Sequence, residues 1–152
     1  MTEHDFQCDI VLQLDNKFEK EIKNEDVYFT AVPNGGRRDK RTGAKLKREG
    51  VKPGVSDIIM FYFGKVFCLE IKLPPTIKIN RKTGKQYKAK GYQSESQKEF
   101  QSVVEHQGHE YWLIDSNKKF EEFLCMLKNQ TVTFKIKPPK VNDIAFIKVR
   151  SV

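Results

Sequence analysis

The amino-acid sequence predicts an α/β fold in which a mixed sheet is covered by helices on both faces. Three observations support this. Two adjacent apolar runs, 57–63 and 66–72, are separated only by Gly64-Lys65 and read as paired strands. Apolar residues recur at spacings of three and four in the first 22 residues and again after Ser94, as amphipathic helices require. The two periods interleave along the chain as helix, strand, strand, strand, helix, strand, helix.

Taken in order, Phe6, Ile10, Val11, Leu14, Phe18 and Ile22 mark one helix over about 2–21. Residues 27–33 read as a strand, and Asn34-Gly35-Gly36 turns the chain out of it. A Gly- and Lys-rich loop leads to Gly50-Val51-Lys52-Pro53-Gly54. Gly64-Lys65, with Gly first, fits a type II′ hairpin turn. Pro74-Pro75 stops the second strand, because neither residue donates to a ladder. Ser94 is placed to cap a helix running to about Gln107, with Phe100, Val103 and Val104 inward and Gly108 just past its end. A strand over 109–115, a helix over 118–128 and a short strand over 131–137 follow, and 144–149 suits one more strand. At 152 residues the chain fits a single domain, 1–152.

Cys8, Cys68 and Cys125 are widely spaced in apolar surroundings and read as buried free thiols of a reducing compartment. No Cys-x-x-Cys or His pairing has zinc spacing, and His4, His106 and His109 read as surface residues. Any metal is therefore expected to be a hard cation held by carboxylates. The start of the chain lacks a signal-peptide pattern and no apolar run suits a membrane span, so a cytoplasmic protein is expected.

The formal charge is +8, which favours polyanionic partners. The charge is also clustered. Residues 76–94 contain no acid, while Lys78, Arg81, Lys82, Lys85, Lys88 and Lys90 supply six cations. Arg37 and Arg38 open a second cluster, and Lys45-Leu46-Lys47-Arg48 forms a third. Partial alternation over 77–88 around Thr83-Gly84 suggests a protruding ribbon, with Tyr87 and Tyr92 available to stack on bases. The alternative is a solvated basic loop.

Chemistry is concentrated in the paired strands. Alternation puts Val66, Cys68, Glu70 and Lys72 on one face, with Phe67, Leu69 and Ile71 on the other. With Gly64-Lys65 as turn residues, Asp57 falls opposite Lys72 and diagonal to Glu70. Two carboxylates so placed can reach one divalent ion, and the Lys72 ammonium lies near the same centre. Phosphodiester hydrolysis uses these parts: a cation to neutralise phosphate oxygens and acidify water, and a Lys to orient that water or hold developing charge. The alternative is that these residues mark solvated strand ends.

Five ordered segments resemble the PD-(D/E)xK nucleases, specifically the virus-type replication–repair nuclease (VRR-NUC) branch. Glu3-His4-Asp5-Phe6-Gln7 resembles the opening helix motif, and Ala31-Val32-Pro33-Asn34-Gly35-Gly36-Arg37-Arg38 the strand-to-loop segment. Gly50-Val51-Lys52-Pro53-Gly54-Val55-Ser56-Asp57 resembles the Gly-x-x-Asp motif, Glu70-Ile71-Lys72 the Glu-x-Lys motif, and Ser94-Glu95-Ser96-Gln97 the helix start with its Gln. The resemblance implies a restriction-endonuclease-like three-layer α/β/α sandwich. It implies metal ligation by Asp57, Glu70 and the Ile71 carbonyl, a catalytic Lys72, a polar Gln97 in the site and Glu3 as a further acid reaching the metal. Glu19 and Glu21 are alternatives for that last role, although Glu3 and Gln7 share a helix face.

Small standalone members of this branch resemble Holliday-junction resolvases and phage-encoded proteins. That implies a Mg²⁺-dependent DNA endonuclease, with Mn²⁺ able to bind the same oxygens, working as a homodimer because a resolvase cuts two symmetry-related strands. If viral, it would act in the host cytoplasm. The chain departs from the pattern by a basic insertion at about 74–93 and a C-terminal extension at about 130–152. These leave open a four-way junction, a flap or plain duplex as substrate. Two competing readings are a sequence-reading restriction- or homing-like nuclease and a non-catalytic DNA-binding module.

Overall fold

Short helices and strands alternate along the computed structural model, which describes residues 2–33, 40–74, 76–89 and 91–131. In chain order the elements are α1 (Glu3–Lys17), α2 (Glu19–Lys23), β1 (Val27–Ala31), α3 (Lys40–Arg48), β2 (Ile58–Tyr62) and β3 (Lys65–Ile71). They continue with β4 (Thr76–Ile79), β5 (Gln86–Ala89), α4 (Glu95–His106), β6 (Glu110–Ile114) and α5 (Asn117–Thr131). The fold is α/β, with a four-stranded mixed sheet in the order β1-β2-β3-β6. β1, β2 and β3 pair antiparallel, and β6 joins β3 in parallel. β4 and β5 make a separate two-stranded sheet. Among the described residues no helix is long and apolar enough to cross a membrane.

α1 starts where Thr2 and Asp5 form a capping box, each side chain accepting from the other's backbone N–H. Phe6, Ile10 and Leu14, spaced four apart, are its buried stripe. The single helix expected over 2–21 is instead two. Phe18 leaves helical geometry (φ −111°, ψ 21°) and buries its ring edge-on against Tyr62 at 5.7 Å. Docking that ring in the core outweighs continuing one straight helix.

The two faces of β3 meet different partners. Phe67, Leu69 and Ile71 enter a core with Phe6, Ile10, Leu14, Ile58, Met60, Phe120 and Phe123. Phe123 of α5 touches both Phe67 and Trp112. On the opposite face, Cys68 and Glu70 pair in register with Tyr111 and Leu113, and Phe100 of α4 packs edge-on against Tyr111. β3 is thus covered on both sides, and its last five residues are all buried.

Several expectations are corrected. The β2–β3 register pairs Tyr62 with Lys65, so the turn residues are Phe63 and Gly64 rather than Gly64 and Lys65. Both have positive φ (47° and 85°), the requirement of a type I′ turn. Phe63 is an unusual residue there. Its ring contact with Tyr62 at 4.8 Å and its N–H bond to the Asp26 carbonyl hold it in place. Residues 40–48, expected as loop, form α3; Leu46 is half-buried while Arg41, Lys45, Lys47 and Arg48 are exposed. Val103 is exposed rather than inward, because the turn of α4 gives the buried position to Val104. Cys8 and Cys125 are exposed on helix surfaces, and only Cys68 is buried. Arg37, Arg38, Lys90 and the strands expected after α5 lie outside the described residues.

Candidate functional site

The corrected register moves the Asp57 alignment by two residues, which preserves its face. One step beyond the Ile58–Leu69 pair sets Asp57 across from Glu70, not Lys72. Asp57 ends the loop entering β2, and its Oδ2 accepts the Ile71 N–H at 2.9 Å. The loop acid is therefore fastened between the acid and the lysine of the Glu-x-Lys segment.

Glu70 lies in the middle of the sheet and is fully buried. Its Oε1 accepts from Lys72 Nζ at 2.5 Å and from Gln97 Nε2, and its Oε2 accepts from the Tyr111 hydroxyl at 3.3 Å. Burial, the largest influence, pushes the Glu70 carboxyl above its usual range, and the nearby Asp57 charge adds to that. The Lys72 and Tyr111 hydrogen bonds oppose the shift without cancelling it. Burial likewise raises the Tyr111 phenol, so it stays protonated and donates. The Cys68 thiol, two positions before Glu70 on the same face, is also pushed up by burial, with a hydrogen bond to Ser56 opposing.

Gln97 is oriented by its own helix. The Gln97 Oε1 accepts the Ser94 N–H at 2.7 Å, and the Ser94 hydroxyl accepts the Gln97 N–H, completing the capping box of α4. A backbone N–H can only donate, so the amide oxygen is committed to it and the NH₂ must face Glu70. The cap that starts the helix thus also aims a donor at the buried acid.

Two glycines bring loops against this cluster. Gly54 (φ +86°) passes so close to α4 that a Cβ would sit 2.1 Å from the Ser96 carbonyl oxygen, which couples the Asp57 loop to the helix bearing Gln97. At Gly91 a Cβ would lie 3.2 Å from the Lys72 Cβ and Cδ, so the returning end of the basic insertion lies over the lysine stem. Beside Asp57 opens a cleft of about 440 Å³ between α3 and the start of α4, with Lys47, Lys52, Gly54, Ser94 and Gln97 in its walls.

Asp57, Glu70, Lys72 and Gln97 are therefore brought together, with the Ile71 backbone among them. Glu3 is exposed on the first turn of α1. His4 and Gln7 of that helix share a depression with Ala31, which pairs with Ile58, so this half of α1 lies toward the Asp57 end of the sheet. Among the described residues no group of three or more His, Cys, Asp or Glu side chains gathers as a metal site. Arg81, Lys82 and Lys85 are exposed at the turn between β4 and β5, which carry Lys78 and Lys88. Tyr111 is a site residue that the sequence does not single out. Its signal is strand parity in 110–114, but that parity names a face only once the parallel register with β3 is known. No protein-family model matches the chain, and neither a curated protein nor a solved structure matches it.

Proposed function

We propose that the chain is a divalent-metal-dependent DNA endonuclease of the VRR-NUC kind, working on branched DNA as a homodimer. The observation that carries the reading is the pairing of Asp57 with the fully buried, raised Glu70 beside Lys72, next to a cleft whose wall includes Asp57, Gln97, Lys47 and Lys52. Burying an acid beside a second acid is costly, and acids perturbed in this way cluster at functional sites. The mixed sheet with helices against both faces supports the three-layer sandwich expected of this nuclease family.

The donor set suits a hard cation. Asp57, Glu70 and the Ile71 carbonyl are oxygen ligands, and Mg²⁺ commonly takes one or two carboxylates and keeps several waters. A cation would offset the burial that raises Glu70 and the smaller repulsion from Asp57. When bound, the ion supplies neutralisation of phosphate charge and acidification of water. Lys72 holds an ammonium where charge develops on the phosphate oxygens. Gln97 and Tyr111 keep Glu70 oriented, and Lys47 and Lys52 attract the flanking backbone. In hydrolysis a water oxygen bonds to phosphorus, one P–O ester bond breaks and the departing oxygen is protonated.

A second reading has one observation in its favour. The Lys72–Glu70–Gln97 cluster is satisfied by its own hydrogen bonds, as a structural network in a non-catalytic DNA-binding module would be. Cleavage of a labelled four-way junction, a flap and a duplex with Mg²⁺, Mn²⁺ or EDTA separates the two, using wild type and Asp57→Asn. Metal-dependent paired nicks on the junction, lost in the variant, are expected. Tight binding without cleavage of any substrate would transfer the protein to the second reading.

A further inference from the structure

Just past Lys72 the chain leaves the main sheet and builds a second one. β4 and β5 pair with Ile77 opposite Lys88 and Ile79 opposite Gln86, so both isoleucines share one face of the hairpin. They are 71% and 61% exposed. A two-stranded hairpin is marginal in water by itself, and bare isoleucines add no support from within. Its tip is nonetheless well organised. The Asn80 side chain accepts the Lys82 and Thr83 N–H groups, Asn80 N–H bonds the Lys85 carbonyl, and Gly84 takes φ +64°. Its root is fixed too, since β3 leads out through Lys72 and Gly91 returns against the Lys72 stem.

Charge indicates what covers the isoleucines. Residues 76–94 hold six Lys and Arg and no acid, and Arg81, Lys82 and Lys85 are exposed at the tip. An arm with six cations and no acid attracts nucleic acid and repels the like-charged arm of a second copy. A two-stranded ribbon fits a DNA groove, and apolar side chains among cations are a means of parting a base step.

We propose that the β4–β5 hairpin is a DNA-distorting arm, in which Ile77 and Ile79 press between bases and unstack a step. This rests on the nuclease reading for its ligand and refines the substrate to DNA with an easily opened step, as at a branch point. Five to seven residues of chain separate the isoleucines from Lys72, so they can lie at most about 15–25 Å away, within roughly seven base pairs of the cut.

The test uses a four-way junction and a continuous duplex carrying 2-aminopurine at successive steps, bound in EDTA so that no cleavage is needed. Wild type is expected to raise the fluorescence at one step near the branch. The double variant Ile77→Thr/Ile79→Thr keeps β-branching. It should abolish that rise and cut the preference for junction over duplex about tenfold, with duplex binding changed less than about threefold. Where the double variant unfolds the hairpin, the single variants Ile77→Thr and Ile79→Thr, which keep every cation, must each lower the rise and the preference. An unchanged rise and preference would overturn the arm, as would a change in sedimenting mass showing that the isoleucines bury against a second copy. A rise with no cleavage on any DNA in Mg²⁺ supports the arm and removes the nuclease reading. Cleavage without a rise overturns the arm alone.

Discussion

Asp57 Oδ2 accepts the backbone N–H of Ile71 at 2.9 Å, so the acid of one segment is clamped to the strand between Glu70 and Lys72. The bond separates a structural duty of Asp57 from a chemical one. Asp57→Asn retains an acceptor and loses the charge; Asp57→Ala loses both. Both variants are expected to be inactive in the junction cleavage assay. Only Asp57→Ala is expected to lose stability, by about 1–2 kcal/mol in urea denaturation.

Lys72→Ala removes the cation beside a fully buried acid. Cleavage is expected to fall by about 10²–10⁴. Stability should fall by about 2 kcal/mol or more, since Gln97 and Tyr111 still donate to Glu70 but no positive charge remains. Adding Glu70→Gln is expected to restore most of that stability and none of the cleavage. A double variant as unstable as Lys72→Ala would show that the charge of Glu70 is not the source of the cost.

Gly54→Ala is expected to destabilise more than Gly50→Ala. Both glycines have positive φ (86° and 93°), so both substitutions carry backbone strain of about 1 kcal/mol or more. Only at Gly54 does the new methyl strike backbone, at the first turn of α4, whereas Gly50 opens to free space. Thermal midpoints of the two variants measure the difference, and Gly54→Ala should also reduce cleavage by shifting Gln97.

Glu110 predicts a pH dependence away from the site. Burial alone would raise its carboxyl, but hydrogen bonds from Lys65, Trp112 and Gln130 outweigh it and leave the group below the ordinary value. A depressed folded pKa stabilises the fold above the unfolded value near 4.5, and that contribution is lost as pH falls through the lower folded value. Urea denaturation should therefore show wild type losing its advantage over Glu110→Gln below about pH 4.5. A constant difference across that range would refute the assignment.

Neutralising Lys82, Lys85 and Lys88 together is expected to weaken DNA binding. It should also flatten the plot of log K against log salt by about 0.9 for each phosphate that is no longer neutralised. An unchanged slope would remove phosphate binding as the role of these lysines.

Much of the candidate site was legible as pattern. Period-two alternation put Glu70 and Lys72 on one side of a strand because a pleat admits no other arrangement. Ser94 and Gln97, three apart before an apolar run, marked the start of α4 because both side chains cap its free N–H groups. The β2–β3 register was legible only to within two residues. Asn, Asp or Gly normally fills the first central position of a type I′ turn, and here Phe63 occupies it, held by contacts with Tyr62 and Asp26 that no turn signal records.

α3 was illegible for a related reason. Gly43, Thr42 and a run of like charges argue locally against a helix. Leu46 is its one half-buried apolar contact, and it lines the cleft beside Asp57. The sequence by itself determined the local periods, the caps, the charge of the insertion and the face shared by Glu70 and Lys72, since all of these follow from residues a few positions apart. Only the tertiary structure decided that Asp57 stands across from Glu70, that Gln97 and Tyr111 both reach that carboxylate, and that Gly91 lies on Lys72. Those placements depend on a parallel crossover, a turn register and two close loop approaches, and such long-range packing leaves no spacing in the chain to be read.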